Sequence, residues 1–160
     1  MDIRFAQARD IPDMIELLRQ VGEVHHQIRP DLFRDQPCKY DENALLALMR
    51  DENRPIFVSV RDDRVEGYAF CILERVENDP VLRDHFSLYI DDLCVDEHCR
   101  GRHIGTALYD HVCAFAREIG CDSITLNVWE GNDSARRFYE SKGMRPRKTY
   151  MEIRLEDSHG

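Results

Sequence analysis

The sequence predicts an α/β domain with a mixed sheet, and three observations lead there. The runs PIFVSV and VEGYAFCIL alternate apolar and polar residues around the charged turn RDDR, the pattern of an antiparallel hairpin. Residues 89–128 read as strand, helix, strand, and such a crossover pairs its two strands in parallel. Between those strands, Ile104, Leu108, Val112, Phe115 and Ala116 recur at spacings of three and four, which is one face of an amphipathic helix.

The other elements follow in chain order. DIRFA is a short strand candidate, then Asp10 stands as a cap, Pro12 falls in the first turn, and MIELLRQV has helical spacing. HHQIRPDLFRDQPCKY holds two prolines and no period, so it reads as a loop before a short helix in DENALLALMRD. FSLYIDDLCV is a further strand. Gly120 ends the long helix, SITLNV is a buried-looking strand, NDSARRFYESKG is a capped helix closed by Gly143, and TYMEIRL is a closing strand. With 160 residues, 42% of them hydrophobic, the chain can fill one core but not two comfortably. Residues 1–155 are expected to form one domain and residues 156–160, EDSHG, a short flexible tail.

Composition excludes several classes. No apolar run approaches the ~18 residues that span a bilayer, and the start MDIRFAQARD lacks an export pattern, so a cytoplasmic protein with no membrane partner is expected. The net charge of -9 argues against nucleic acid as a partner. The charge is uneven: residues 100–148 sum to +3 and residues 1–99 to -10. A basic half suits a polyanionic cofactor and an acidic half attracts a cationic substrate. The six cysteines contain no CxxC pair, and the grouping Cys94, His98, Cys99, His103 lacks the paired spacing of structural zinc, so no metal is expected.

The stretch RGRHIG raises the chemical question. Where a strand gives way to a helix, the first backbone N–H groups have no partner inside the helix, and the macrodipole adds partial positive charge. Such a turn binds phosphate. Gly101 and Gly105 make room, and Arg100 and Arg102 add charge, although neither GxGxxG nor GxxxxGK[ST] is present. A plain basic helix start remains the competing reading.

Arg100 to Gly105 also fits the pattern Arg/Gln, two residues, Gly or a substitute, one residue, Gly/Ala of the acetyl-coenzyme A loop in the GNAT superfamily of N-acetyltransferases, with His103 standing at the glycine position. YIDDLCV resembles the strand before that loop, and NDSARRFYESKGM resembles the family's later segment, so the likeness is close over residues 89–144. The resemblance implies a mostly antiparallel sheet with a splayed central parallel pair, flanked by helices. It implies pantetheine against the backbone of Leu93, Cys94 and Val95, and pyrophosphate on the amides of Arg100, Gly101, Arg102, His103, Ile104, Gly105 and Thr106. Asn132 would cap the later helix and reach the pantetheine arm, Phe138 would pack beneath, and Tyr139 would approach the thiol.

The chemistry gives these residues work. Acyl transfer from a thioester expels a thiolate, and a tyrosine with a pKa near ~10 is protonated at neutral pH and can donate to it. Tyr139 is the candidate acid. An acceptor amine with a pKa near ~10.4 is almost wholly protonated at pH 7, while only its neutral form attacks. A carboxylate is therefore useful. Strand alternation puts Tyr89, Asp91 and Leu93 on one face and Ile90, Asp92 and Cys94 on the other, unless a bulge intervenes. By its position relative to Val95, Asp91 resembles the glutamate near the amine in spermidine/spermine acetyltransferases and is favoured over Asp92. A water chain is the alternative route for the proton.

The family's acceptor site borders the region between the first two helices, so Glu23, His25, His26, Arg29 and Asp31 are candidate contacts, with Tyr89 and Trp129 as walls. Cys94 is expected to supply backbone contacts, with direct transfer and no acyl-cysteine. The resulting expectation is an acetyl-coenzyme A-dependent N-acetyltransferase acting on a primary amine of a cationic small molecule, such as a polyamine, aminoglycoside or amino-acid amine. Alternatives are a protein or peptide acceptor, or a catalytically silent coenzyme A-binding module. Homodimerisation is implied by the family alone.

Overall fold

A computed structural model of the chain describes residues 1–155. The expected tail at 156–160 lies outside the described residues. Contacts group the chain into two units, Met1–Asn127 and Val128 onward, taken separately below.

The first unit carries the sheet. Strand β1 (Asp2–Phe5) leads through a single 3₁₀ turn at Ala8–Asp10 into helix α1 (Ile11–Ile28), then helix α2 (Glu42–Met49). Strands β2 (Ile56–Arg61), β3 (Arg64–Val76) and β4 (His85–Val95) follow, then helix α3 (Ile104–Glu118) and strand β5 (Ser123–Leu126). The strands lie in sequence order; each neighbouring pair is antiparallel except β4–β5, which is parallel. The expected hairpin is β2–β3. Its turn residues Asp62 and Asp63 have φ of 51° and 62°, the paired positive values of a tight hairpin loop whose twist matches its strands.

Each sheet face takes its own helices. On one, Val58, Tyr68, Phe70 and Cys94 pack with Met14, Leu17 and Leu18 of α1 and Leu45 of α2. On the other lies α3, whose Ile104, Leu108, Val112 and Ala116 are buried, with the Phe115 ring edge-on to Phe57 at 5.1 Å. Burying a large apolar side chain stabilises by roughly 1.5–3 kcal/mol, so these stripes hold the helices to the sheet.

Three local expectations are corrected. Helix α1 continues through His25 and His26 to Ile28, so the loop is shorter than its lack of period suggests. Asp10 stands at the N-cap of α1 without capping it: its carboxylate accepts from the Gln7 amide at 2.8 Å and from the Arg4 guanidinium at 2.7 Å. TYMEIRL forms no strand. Its residues alternate as a strand's would, but no strand is assigned over residues 149–155, and Tyr150, Met151, Ile153 and Leu155 are exposed.

The second unit holds helix α4 (Asp133–Ser141), capped by the Asn132 side chain, which accepts from the Ala135 amide at 3.3 Å. No helix among the described residues is long and apolar enough to cross a membrane.

Candidate active site

Strand β4 has two features that set a site. Its parallel pairing with β5 stops at Ile90↔Leu126, so the main chain of Asp91 to Val95 has no β5 partner. Its pairing with β3 jumps from Phe70↔Asp92 to Cys71↔Ile90, leaving Asp91 as an inserted residue. This is the bulge that lets adjacent acids turn the same way. Strict alternation across Asp91 and Asp92 is therefore overturned, and both carboxylates act on one cation, Lys39.

Lys39 Nζ lies 2.8 Å from Asp91 Oδ2, and the Tyr40 hydroxyl donates to the same oxygen at 3.2 Å. Burial works against the Lys39 charge, yet the bond to Asp91 and its charge prevail and hold the pKa above the ordinary lysine value. Asp92 accepts from the fully buried Tyr68 hydroxyl at 2.7 Å. Burial pushes the Asp92 carboxyl up to about 6, against the opposing effects of Tyr68 and Lys39. It still keeps some accessible surface. Asp92 is thus a carboxylate of near-neutral pKa at an open strand edge, and Asp91 is an anion already holding an ammonium.

The loop that delivers Lys39 and Tyr40 spans residues 29–41. Its anchor is Gly22 of α1, where an added Cβ would run into the Pro37 carbonyl. Gly22→Ala is expected to push this loop outward and cost about 1–3 kcal/mol of stability by overpacking, read as a lowered Tm. The Tyr40 ring lies 5.5 Å from that of Phe70, which further seats the loop.

The sequence-predicted acceptor residues serve this loop more than the acids. Arg29 pairs with Asp31 at 2.7 Å, His26 Nδ1 lies 2.9 Å from the Phe33 carbonyl, and Glu23 accepts from Gln27 at 2.8 Å. The His25 ring stacks on Phe33 at 5.1 Å, and burial followed by the Lys39 charge lowers its pKa. Tyr89 accepts from Asn127 at 3.0 Å, and burial together with the Asp91 charge raises its pKa.

Beyond β4, the chain enters α3 through a tethered turn. The Asp96 amide donates to the Glu66 carbonyl at 2.8 Å, and Gln20 of α1 accepts from the Glu97 amide at 3.0 Å. Gly101 has φ +85° with nothing within 4 Å of where a Cβ would stand. His103 has φ 60° and heads α3 with no side-chain cap. Its side chain is exposed, while its backbone takes the left-handed form that glycine would favour; histidine is among the residues enriched there. Arg102 sends its guanidinium to Glu66, 3.5 Å away.

These features fit coenzyme A. The uncapped α3 N-terminus offers amides to a pyrophosphate, Gly101 keeps the approach open, and the edge of Leu93, Cys94 and Val95 leaves main-chain groups for an amide-bearing arm. His103→Gly is expected to keep coenzyme A affinity within about twofold. His103→Val, a β-branched residue at positive φ, is expected to weaken it about tenfold, as measured by calorimetry. Cys94 is buried, and burial followed by the Asp92 charge pushes its thiol up to about 12, which leaves almost no thiolate for acyl chemistry.

In the second unit, Asn132 caps α4, and the rings of Phe138 and Tyr139 meet edge-on at 5.1 Å. Tyr139 is half-buried, and the Trp129 carbonyl accepts from the Asn132 amide at 3.0 Å. Sequence reasoning missed Lys39, Tyr40 and Tyr68. Lys39 is separated from its acid by 52 residues, and no local pattern reports that contact. The hairpin register could have placed Tyr68 opposite Cys94.

Comparison with known proteins gives a consistent picture. The chain matches the model of the acetyltransferase (GNAT) family over residues 15–144. It is similar to a mutant of the BH1408 protein from Bacillus halodurans, with 32% identity, 97% of this chain and 99% of that chain covered, and a TM-score of 0.92. An aminoglycoside acetyltransferase from an uncultured soil metagenomic sample, in complex with sisomicin, shares the fold at 20% identity, with 96% and 95% covered and a TM-score of 0.73. Aminoglycoside N-acetyltransferase AAC(6')-Iy in complex with CoA shares it at 12% identity, with 96% and 98% covered and a TM-score of 0.70. A search of curated proteins finds no match. The strand edge, the uncapped helix and the family match together carry the conclusion that this chain belongs to the acetyltransferase (GNAT) family of acetyl-coenzyme A-dependent N-acetyltransferases.

Proposed function

We propose that the protein moves acetyl from acetyl-coenzyme A directly to a primary amine of a cationic small molecule. The observation that carries this reading is the β4 bulge at Asp91, beside which Asp91 holds the Lys39 ammonium and Asp92 accepts from Tyr68, at the edge where β5 no longer pairs.

Acetyl-coenzyme A supplies an activated acyl thioester. The amides from Arg100 to Thr106 would hold its pyrophosphate, and Leu93, Cys94 and Val95 would orient its arm; in the second unit, the resemblance assigns Asn132 and Phe138 to the same cofactor. Asp91 holds the acceptor ammonium as it now holds Lys39. Asp92, with its carboxyl near 6, takes the proton, an assignment that reverses the preference drawn from sequence. Tyr139 gives a proton to the departing thiolate. Glu23, His26, Arg29, Tyr89 and Trp129 shape the acceptor's surroundings.

The acidic first 99 residues support a cationic acceptor. Six free cysteines support a cytoplasmic setting, and the exposed Tyr150, Met151, Ile153 and Leu155 support a homodimer, which light scattering on the eluted protein measures. The experiment for the activity is thiol release from acetyl-coenzyme A with a panel of polyamines, aminoglycosides, amino acids and peptides. Turnover with cationic small amines is expected. Preference for peptides or neutral amines overturns the acceptor class, and tight binding without turnover on any of them overturns catalysis.

A further inference from the structure

Lys39 occupies the place that an acceptor would need. Its ammonium is paired with Asp91 at 2.8 Å, the charge of Asp92 also acts on it, and its side chain is 51% exposed. It rides on a loop held by Gly22 against Pro37 and by Tyr40 against Phe70, so its position is built rather than incidental. The chain thereby presents a primary amine to its own pair of acids.

We propose that Lys39 is a self-acetylation site, its ε-amine taking the acetyl group when no external amine is bound. The inference rests on the acetyl transfer proposed above. The Lys39 ammonium gives one proton to Asp92, and the freed nitrogen lone pair attacks the thioester carbonyl. A C–N bond forms, the C–S bond breaks, and the departing thiolate is protonated. Nothing is oxidised or reduced: ammonium plus thioester become amide plus free thiol plus one released proton. The product amide is neutral, so the ion pair with Asp91 is lost and that carboxylate is left for an external ammonium. Acetylation therefore removes a built-in competitor for the acceptor position.

The sequence supplies its own controls, because Lys39, Lys142 and Lys148 are its three lysines. The full chain is incubated with acetyl-coenzyme A and no amine, and acetylation at each lysine is followed by peptide mass spectrometry. Lys39 is expected to react about tenfold or more faster than Lys142 and Lys148, at a rate independent of protein concentration, and about 10²-fold or more slower in Asp92→Asn. Equal rates at the three lysines, or indifference to Asp92→Asn, overturn the proposal.

A second readout needs no turnover. After reductive ¹³C-methylation, the Lys39 resonance, assigned by its loss in Lys39→Arg, is expected to shift on adding free coenzyme A. A resonance that stays still while calorimetry shows coenzyme A bound overturns the proposal. If amines of the panel are acetylated while Lys39 is not, this inference fails and the proposed function stands. If neither is acetylated, both fail.

Discussion

Asp92→Asn is expected to lower kcat by about 10²–10⁴-fold while making the protein more stable at neutral pH. The two effects share one cause. The Tyr68 hydroxyl can donate to an amide oxygen as it does to Asp92 Oδ2, so the geometry survives and only the charge disappears. Burial raises the folded-state carboxyl from 3.8 to about 6. A raised acid pKa means the folded chain binds the proton more tightly than the unfolded one. Between about pH 4 and 6, stability therefore falls as pH rises, and the deficit persists at neutral pH. At about 1.36 kcal/mol per pKa unit the full shift corresponds to roughly 3 kcal/mol. Partial solvent access reduces the expected gain in Asp92→Asn to about 1–2 kcal/mol. Thermal unfolding should show a raised Tm at pH 7.5 and none at pH 4. An unchanged kcat removes Asp92 from the chemistry, and an unchanged Tm contradicts the strained carboxylate.

Tyr139→Phe is expected to lower kcat by about 10²–10³-fold with the KM for acetyl-coenzyme A within about twofold. The ring remains, so its contact with Phe138 at 5.1 Å is kept and helix α4 is preserved. What is lost is the hydroxyl proposed to protonate the thiolate, a demand that arises only as the C–S bond breaks. A raised KM with normal kcat would instead make Tyr139 a packing residue. Steady-state kinetics on a purified, folded variant separates the two.

Much of the fold was legible because it follows from periodicity. The β2–β3 hairpin, the parallel β4–β5 pair and the buried stripe of α3 all come from residues whose spacing matches a single element. The parts that misread share a different property: they depend on partners distant in sequence. TYMEIRL alternates like a strand, but its pairing is not encoded in its own residues. His25 and His26 sit in a stretch without apolar period, yet they continue α1, because Gly22 and Phe33 pack the following loop against it.

The site divides in the same way. The cofactor loop could be reasoned from Gly101 and a helix beginning at Ile104, because amides at a helix start need no particular side chains. His103 stands where the loop's pattern has glycine, and the structure gives it the left-handed backbone that glycine favours. The acid pair could not be resolved from YIDDLCV, because an inserted residue in an antiparallel ladder leaves no mark in one strand alone. Nor could Lys39 be linked to Asp91 across the intervening hairpin. Near-neutral acidity at Asp92 follows from its burial, with the Asp91 charge adding to it and Tyr68 and Lys39 opposing it, which is a property of the fold.

The pH dependence of kcat/KM for the amine tests the acid pair most directly. Asp92 faces Tyr68 from β3, the Lys39 charge from the loop and the charge of its neighbour Asp91, and burial pushes its carboxyl up to about 6. If Asp92 accepts the amine's proton inside the site, the protonated amine is the species that binds. The profile then rises through about pH 6 and stays level from pH 7 to 9. If the protein selects neutral amine from solution, kcat/KM climbs about tenfold per pH unit toward the amine's own pKa near ~10.4. A plateau above pH 7 is the predicted result, and a continuous climb to pH 9 contradicts it.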